Sequence, residues 1–176
     1  MSESIEAGNG HYVDTSVIIA RYKPDDEDYE YAEKLLSRDD VRFYASTLTL
    51  VELSAVLSRL LDELIIPQGY EKDLHTLLAF IVKDCKLHFT SHLHTLSVDF
   101  HARKIRMPLE YYLAVAHAER LKLRALDLLH ICHAVILRRF DNIASFITGD
   151  EELLAKSDMI NTMFGLHVKH PRDIIG

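Results

Sequence analysis

The chain has almost no cysteine, no glycine-rich loop, no long apolar run and no excess of positive charge, and each absence removes a class of protein. The two cysteines, Cys85 and Cys132, lie far apart and without paired spacing, which argues against a disulfide scaffold and a cysteine-based zinc centre; both read as buried thiols. No stretch approaches the ~18 consecutive apolar residues of a membrane span, and Met1 to Gly10 lacks a basic start followed by an apolar run. Residues 1–10 are therefore expected to be a disordered tail, and the protein to be cytoplasmic with no membrane association. The Gly-rich loop of a P-loop nucleotidase, ending in Lys and Ser or Thr, does not occur, and no glycines cluster after the first strand as a dinucleotide fold requires. A formal charge of −7 disfavours non-specific nucleic-acid binding but leaves room for a local basic groove. Internal repeats, low-complexity runs and linkers are also missing.

What remains is 176 residues, 48% hydrophobic and 27% charged, enough to bury one substantial core over residues 11–176. Eleven histidines make the charge sensitive to pH near ~6.5. A first strand falls in the stretch from His11 to Ile19, an apolar, β-branched run broken by Asp14, Thr15 and Ser16. After Pro24 and the acids Asp25 to Asp28, the spacing of Tyr29, Ala32, Leu35 and Leu36 predicts a helix. Val41 to Ala45 reads as a second strand, followed by a helix capped by Ser46 or Thr47 and running to about Glu63 on Leu50, Leu53, Val56, Leu57 and Leu60. A further helix is expected from Tyr70 to about Lys83, and a short strand over Lys86 to Phe89. Ser91 to Arg106, polar and His-rich at first and basic at its end, is ambiguous between the two periods. Pro108 opens a long helix to Leu121, a break falls between Leu123 and Leu126, and a second helix runs from Asp127 to Arg139. Ile143 to Ile147 is a buried strand, Thr148 to Asp150 a turn, Glu151 to Lys156 a short helix and Leu166 to Val168 a last strand. Strands alternating with helices, joined by connections too long for hairpins, predict a single-domain α/β/α sandwich with a mainly parallel central sheet.

In such a sheet the ligand site lies beyond the carboxyl ends of the strands. Four acids fall there, each interrupting an apolar setting: Asp14 after the first strand, Glu52 early in the helix after the second, Asp127 at a helix start, and Asp150 just past Ile143 to Ile147. A buried, unpaired carboxylate is expensive to desolvate, so Asp14 either caps the next helix or faces a ligand or metal in a crevice. Four carboxylates brought together repel unless cations neutralise them. Oxygen-only ligation selects Mg2+ or Mn2+, and ions of that kind activate water and steady the oxygens of an in-line phosphoryl displacement. That chemistry is phosphodiester hydrolysis.

These residues resemble the PIN-domain nucleases, and within them the VapC-type toxins of prokaryotic toxin–antitoxin pairs. The resemblance rests on Tyr-Val-Asp14-Thr-Ser16, Val-Glu52-Leu, Arg-Ala-Leu-Asp127-Leu-Leu-His130 and Ile-Thr148-Gly-Asp150, in that order and spacing. It implies a PIN-like nuclease domain over 11–176 and a Mg2+- or Mn2+-dependent endoribonuclease. Asp14, Glu52, Asp127 and Asp150 would be its catalytic and metal-holding acids, with hydroxyl support from Ser16 and Thr148. It further implies an RNA substrate, a small antitoxin that fills the active-site groove, and a homodimer.

The competing readings are weaker. A haloacid-dehalogenase-type phosphatase needs a second Asp where this chain has Ser16, and the acids of a response-regulator receiver follow a different order. A degenerate fold kept as an RNA-binding or protein-interaction module is the non-enzymatic alternative. His130-Ile131-Cys132-His133 lacks a complete tetrahedral ligand set, which argues against zinc. The resemblance implies that His130 stands near the third acid, and it is left outside the metal ligands. Replacing it with Ala is accordingly expected to leave divalent-metal affinity nearly intact. His88, His92 and His94 read as surface or partly packed residues, and Tyr111 and Tyr112 as core and interface aromatics. Arg103, Lys104, Arg106, Arg120, Lys122 and Arg124 form a solvated helix face or contact RNA phosphates.

Overall fold

The computed structural model describes residues 10–70, 73–89, 94–141 and 143–175. Apart from Gly10, the expected N-terminal tail lies outside the described residues, as do Ser91 and His92. The first strand, β1 (Gly10–Val13), ends one residue before Asp14, and the Val-Ile-Ile run after it forms a short helix, α1 (Thr15–Ala20), instead of prolonging the strand. The chain continues through α2 (Tyr29–Leu36), β2 (Arg42–Ala45), α3 (Thr47–Leu60), α4 (Leu74–Asp84) and β3 (Leu87–Phe89). An antiparallel hairpin of β4 (Thr95–Phe100) and β5 (Arg103–Pro108) leads into the helix pair α5 (Leu109–Leu121) and α6 (Ala125–Asp141). Then come β6 (Ile143–Ile147), α7 (Glu151–Ala155), α8 (Ser157–Phe164), β7 (His167–Lys169) and α9 (Arg172–Ile175).

Five strands form one parallel sheet in the order β3-β2-β1-β6-β7. Side chains alternate across it, as strand geometry requires. Tyr12 stands opposite Tyr44 and Phe146 and points to the α5, α6 and α8 side, while Val13, Phe43 and Ile147 point to the side covered by α1 to α4. Two apolar layers result. One gathers Ile18, Leu35, Leu36, Leu53, Leu57 and Ile81; the other gathers Leu121, Leu128, Ile131, Leu153 and Ile160. Each of these large side chains contributes about 1.5–3 kcal/mol when fully buried. Cys85 and Cys132 are free and buried, as expected. Among the described residues, no helix is long and apolar enough to cross a membrane.

Several element boundaries differ from the sequence pattern for local reasons. The helix expected from Tyr70 begins at Leu74, because Asp73 caps it by accepting from the backbone N–H groups of His75 and Thr76 at 3.2 and 2.8 Å. The helix after β2 stops at Leu60 and tightens into a 3-10 turn over Leu61–Glu63. Lys122 takes the left-handed conformation at φ 52° and closes α5, which lets α6 start at Ala125, two residues ahead of Asp127. Pro108 ends β5 and precedes the first turn of α5. The hairpin, α8 and α9 are elements the pattern does not anticipate. Tyr111 and Tyr112 are exposed on α5, which corrects their assignment to the core.

Candidate active site

Strand order positions the site. The sheet is wound outward from β1 in one direction through β2 and β3, and in the other through β6 and β7, so the carboxyl ends of β1 and β6 flank the point where the winding reverses. Asp14 leaves β1 there, and Thr148 leaves β6 beside it. The two meet directly, Thr148 Oγ1 donating to Asp14 Oδ2 at 2.7 Å. Ser16 Oγ donates to the same oxygen at 2.8 Å, and Asp14 Oδ1 accepts from the Thr15 N–H at 2.8 Å, which caps α1. The Asp14 carboxylate thus caps a helix and at the same time lines a cleft. Asp14 is nevertheless buried, and burial raises its carboxyl above the ordinary range against the opposing pull of His130, Thr148 and Ser16.

Asp150 works in the same double way. Its Oδ1 accepts from the N–H groups of Glu152 and Leu153 at 2.7 and 3.2 Å, capping α7, while Oδ2 accepts from Arg124 and the residue lines the cleft. Its own N–H donates to Thr148 Oγ1 at 3.0 Å, so the turn after β6 is closed by the hydroxyl that supports Asp14. Glu52 arrives from α3 and is held at Oε2 by Thr15 Oγ1 at 2.5 Å and by His130 Nε2 at 3.0 Å. The His130 hydrogen bond is the main influence keeping its carboxyl below the usual range, with Thr15 adding to it and burial opposing. Asp127, in the first turn of α6, is pushed upward by burial and, to a lesser degree, by Asp14 and Asp150, against the restraining guanidinium of Arg124.

All four predicted acids therefore line one cleft of about 480 Å3, together with Ser16, Thr15 and Arg124. Thr148 stands immediately behind Asp14. The carboxylates that line the cleft are the oxygen donors a hard divalent cation takes, and they surround one buried charge, Asp14. Asp14, Glu52 and His130 each bring a ligand-capable atom within 4.8 Å of the others. The ring of His130 is already committed on both sides, however, with Nδ1 lying 2.8 Å from the Tyr12 hydroxyl and Nε2 on Glu52. Oxygen ligands remain, and His130 becomes the residue that holds one of them.

Thr15, Tyr12, His130 in its role toward Glu52, and Arg124 are the site residues that the sequence reading did not assign. Thr15 was flanked by assigned residues. Arg124 carried a usable signal, its i, i+3 spacing before Asp127. Asp28 carried none, because its partner lies far along the chain: Asp28 Oδ1 pairs with His170 Nε2 at 3.0 Å. Its Oδ2 crowds the turn after β6, where a Cβ added to Gly149 would lie 2.7 Å away. Gly149→Ala is expected to destabilise the fold by about 1–3 kcal/mol in urea unfolding. Combining it with Asp28→Ala should recover most of that loss; no recovery would place the strain elsewhere.

The PIN domain family model matches residues 11–158, from β1 into α8. The fold is similar to a chain in the crystal structure of VapBC2 from Rickettsia felis bound to a DNA fragment from their promoter, with a TM-score of 0.54 and 13% sequence identity over 92% of this chain and 98% of that one. No curated protein matches the sequence. Four acids at the ends and helix starts of a parallel sheet, within a match that spans most of the chain, lead to one assignment: the chain belongs to the PIN-domain family.

Proposed function

We propose that this cleft hydrolyses RNA phosphodiester bonds with Mg2+ or Mn2+, and that the protein is the toxin of a VapBC-type pair. The observation that carries the reading is Asp14: a buried carboxylate whose charge the fold opposes, aimed at a cleft that three further acids line. Asp14 and Asp150, with Asp127 and Glu52 directly or through water, would hold one or two such ions. A divalent ion bound there supplies activation of water and neutralisation of charge on the phosphate. The chain's own part is orientation. Ser16 and Thr148 fix the Asp14 carboxylate from behind, and Thr15 and His130 fix Glu52, so the oxygens do not need to reorganise when substrate arrives. No protein nucleophile is required.

The partner reading is supported by the VapBC2 complex among similar folds and by exposed apolar side chains. Leu126 borders the cleft, where a small antitoxin would dock. Tyr111, Tyr112 and Val115 are exposed on α5 and would offer a surface for the homodimer. The decisive experiment incubates the protein with an RNA pool in Mg2+, Mn2+ or EDTA while following thermal unfolding. Cleavage is expected with either ion and not with EDTA, and an ion at a hundred times its Kd should add about 2.7 kcal/mol of stability. Undiminished cleavage in EDTA would remove the metal from the mechanism. Failure to cleave under any condition would favour the non-enzymatic module.

A further inference from the structure

The four acids do not share one kind of partner. Asp14 and Glu52 are held by hydroxyls, a backbone N–H and His130, whereas Asp127 and Asp150 are bridged by a guanidinium. Arg124 Nε lies 2.9 Å from Asp127 Oδ2, and Arg124 Nη2 lies 2.6 Å from Asp150 Oδ2. Asp150 Oδ1 is already occupied by the α7 cap, and Arg124 takes the remaining oxygen, Oδ2. The Arg124 side chain is itself 65% exposed, although the carboxylates it bridges are only 17% and 25% exposed. It springs from the short break between α5 and α6, two residues after the left-handed Lys122. A planar fork is well shaped to span two carboxylates from different helices. An exposed ion pair is screened by water and easily exchanged, which suits a contact that must open.

We infer that Arg124 is an internal counter-cation that latches Asp127 to Asp150 until a divalent ion displaces it. The inference rests on the metal-site reading above. It explains how two half-buried acids are tolerated side by side before metal arrives, and it means that metal binding is a competition with the chain's own guanidinium. Removing Arg124 should therefore tighten metal binding, the opposite of what losing a ligand or a merely structural residue would do.

The test follows free Mn2+ by electron paramagnetic resonance during titration of the full chain, comparing wild type with Arg124→Ala, Arg124→Lys and Asp14→Asn. Arg124→Ala should bind Mn2+ about five- to tenfold more tightly and should melt below wild type when metal is absent. Arg124→Lys, a point charge that cannot fork across both carboxylates, should fall between them and keeps the test open if the Ala variant folds poorly. Asp14→Asn should lose saturable binding. Equal or weaker Mn2+ binding by both Arg124 variants, with Asp14→Asn still defective, would overturn the latch and leave the metal site standing. Absence of saturable binding in wild type and Arg124→Ala alike would overturn the metal site, and the latch with it.

Discussion

Asp14→Asn should lower metal-dependent RNA cleavage by on the order of 10³-fold or more while leaving the protein folded. The two halves of this expectation have separate causes. Asn keeps the shape of the side chain and caps helices as well as Asp does, so the contact with the Thr15 N–H survives. The Ser16 and Thr148 hydroxyls, which now donate to Oδ2, can turn to accept from an amide instead. A carboxyl whose folded pKa lies above its unfolded value weighs against the fold once ionised, and acidification relieves that burden; a neutral amide relieves it at every pH. The variant should therefore melt within a few degrees of wild type without metal, or above it, and fail to gain stability when Mg2+ or Mn2+ is added. Expression of wild type should arrest growth, and expression of Asp14→Asn should not. Wild-type cleavage by the variant would remove the acid quartet from the chemistry.

The acids themselves were legible because each interrupts an apolar setting, and a charge placed there demands a reason. Their partners were less so. Glu52 depends on Thr15 and His130, 37 and 78 residues away, and nothing local in α3 advertises either. The end of β1 was blurred because Val17, Ile18 and Ile19 are β-branched and continue the strand pattern, yet the Asp14 cap turns them into α1; capping and burial outweighed propensity. The β4–β5 hairpin was hidden for a different reason. Its two-residue turn, His101 and Ala102, takes φ 46° and 65° without the Gly or Asn that usually marks such a turn. Leu96, Val98 and Phe100 alternate with Thr95, Ser97 and Asp99 at the period of a strand and stand opposite Met107, Ile105 and Arg103, but the His-rich segment before them and the basic residues of β5 obscure that short signal. Arg124 stands among other basic residues in the sequence, and while its i, i+3 spacing hints at Asp127, the contact with Asp150 shows only once α7 approaches the start of α6.

His130→Ala is expected to produce the largest loss of stability among these variants and a loss of function by an indirect route. His130 is 1% exposed and stands at the centre of a buried relay, Ser46 to Tyr12 to His130 to Glu52, with spacings of 2.9, 2.8 and 3.0 Å. Truncation leaves a cavity beneath the sheet end, and the Tyr12 hydroxyl loses a partner that water does not readily replace. A cost of about 2–4 kcal/mol follows, which for a chain of this size lowers Tm by roughly 5–15 °C. The sequence reading expected metal affinity to survive because His130 is no ligand. The geometry keeps it out of the ligand set but makes it the main support of Glu52, so affinity should fall by about tenfold, as it does when a residue orienting a ligand is removed. Two companion variants separate packing from orientation. Tyr12→Phe removes a hydroxyl without touching Glu52 and should cost about 1–2 kcal/mol with little change in metal affinity. His130→Gln, which carries an N–H near the reach of Nε2, should regain part of the affinity even if it regains little stability. Unchanged metal affinity in a folded His130→Ala protein would mean that Thr15 alone is enough to hold Glu52 in place.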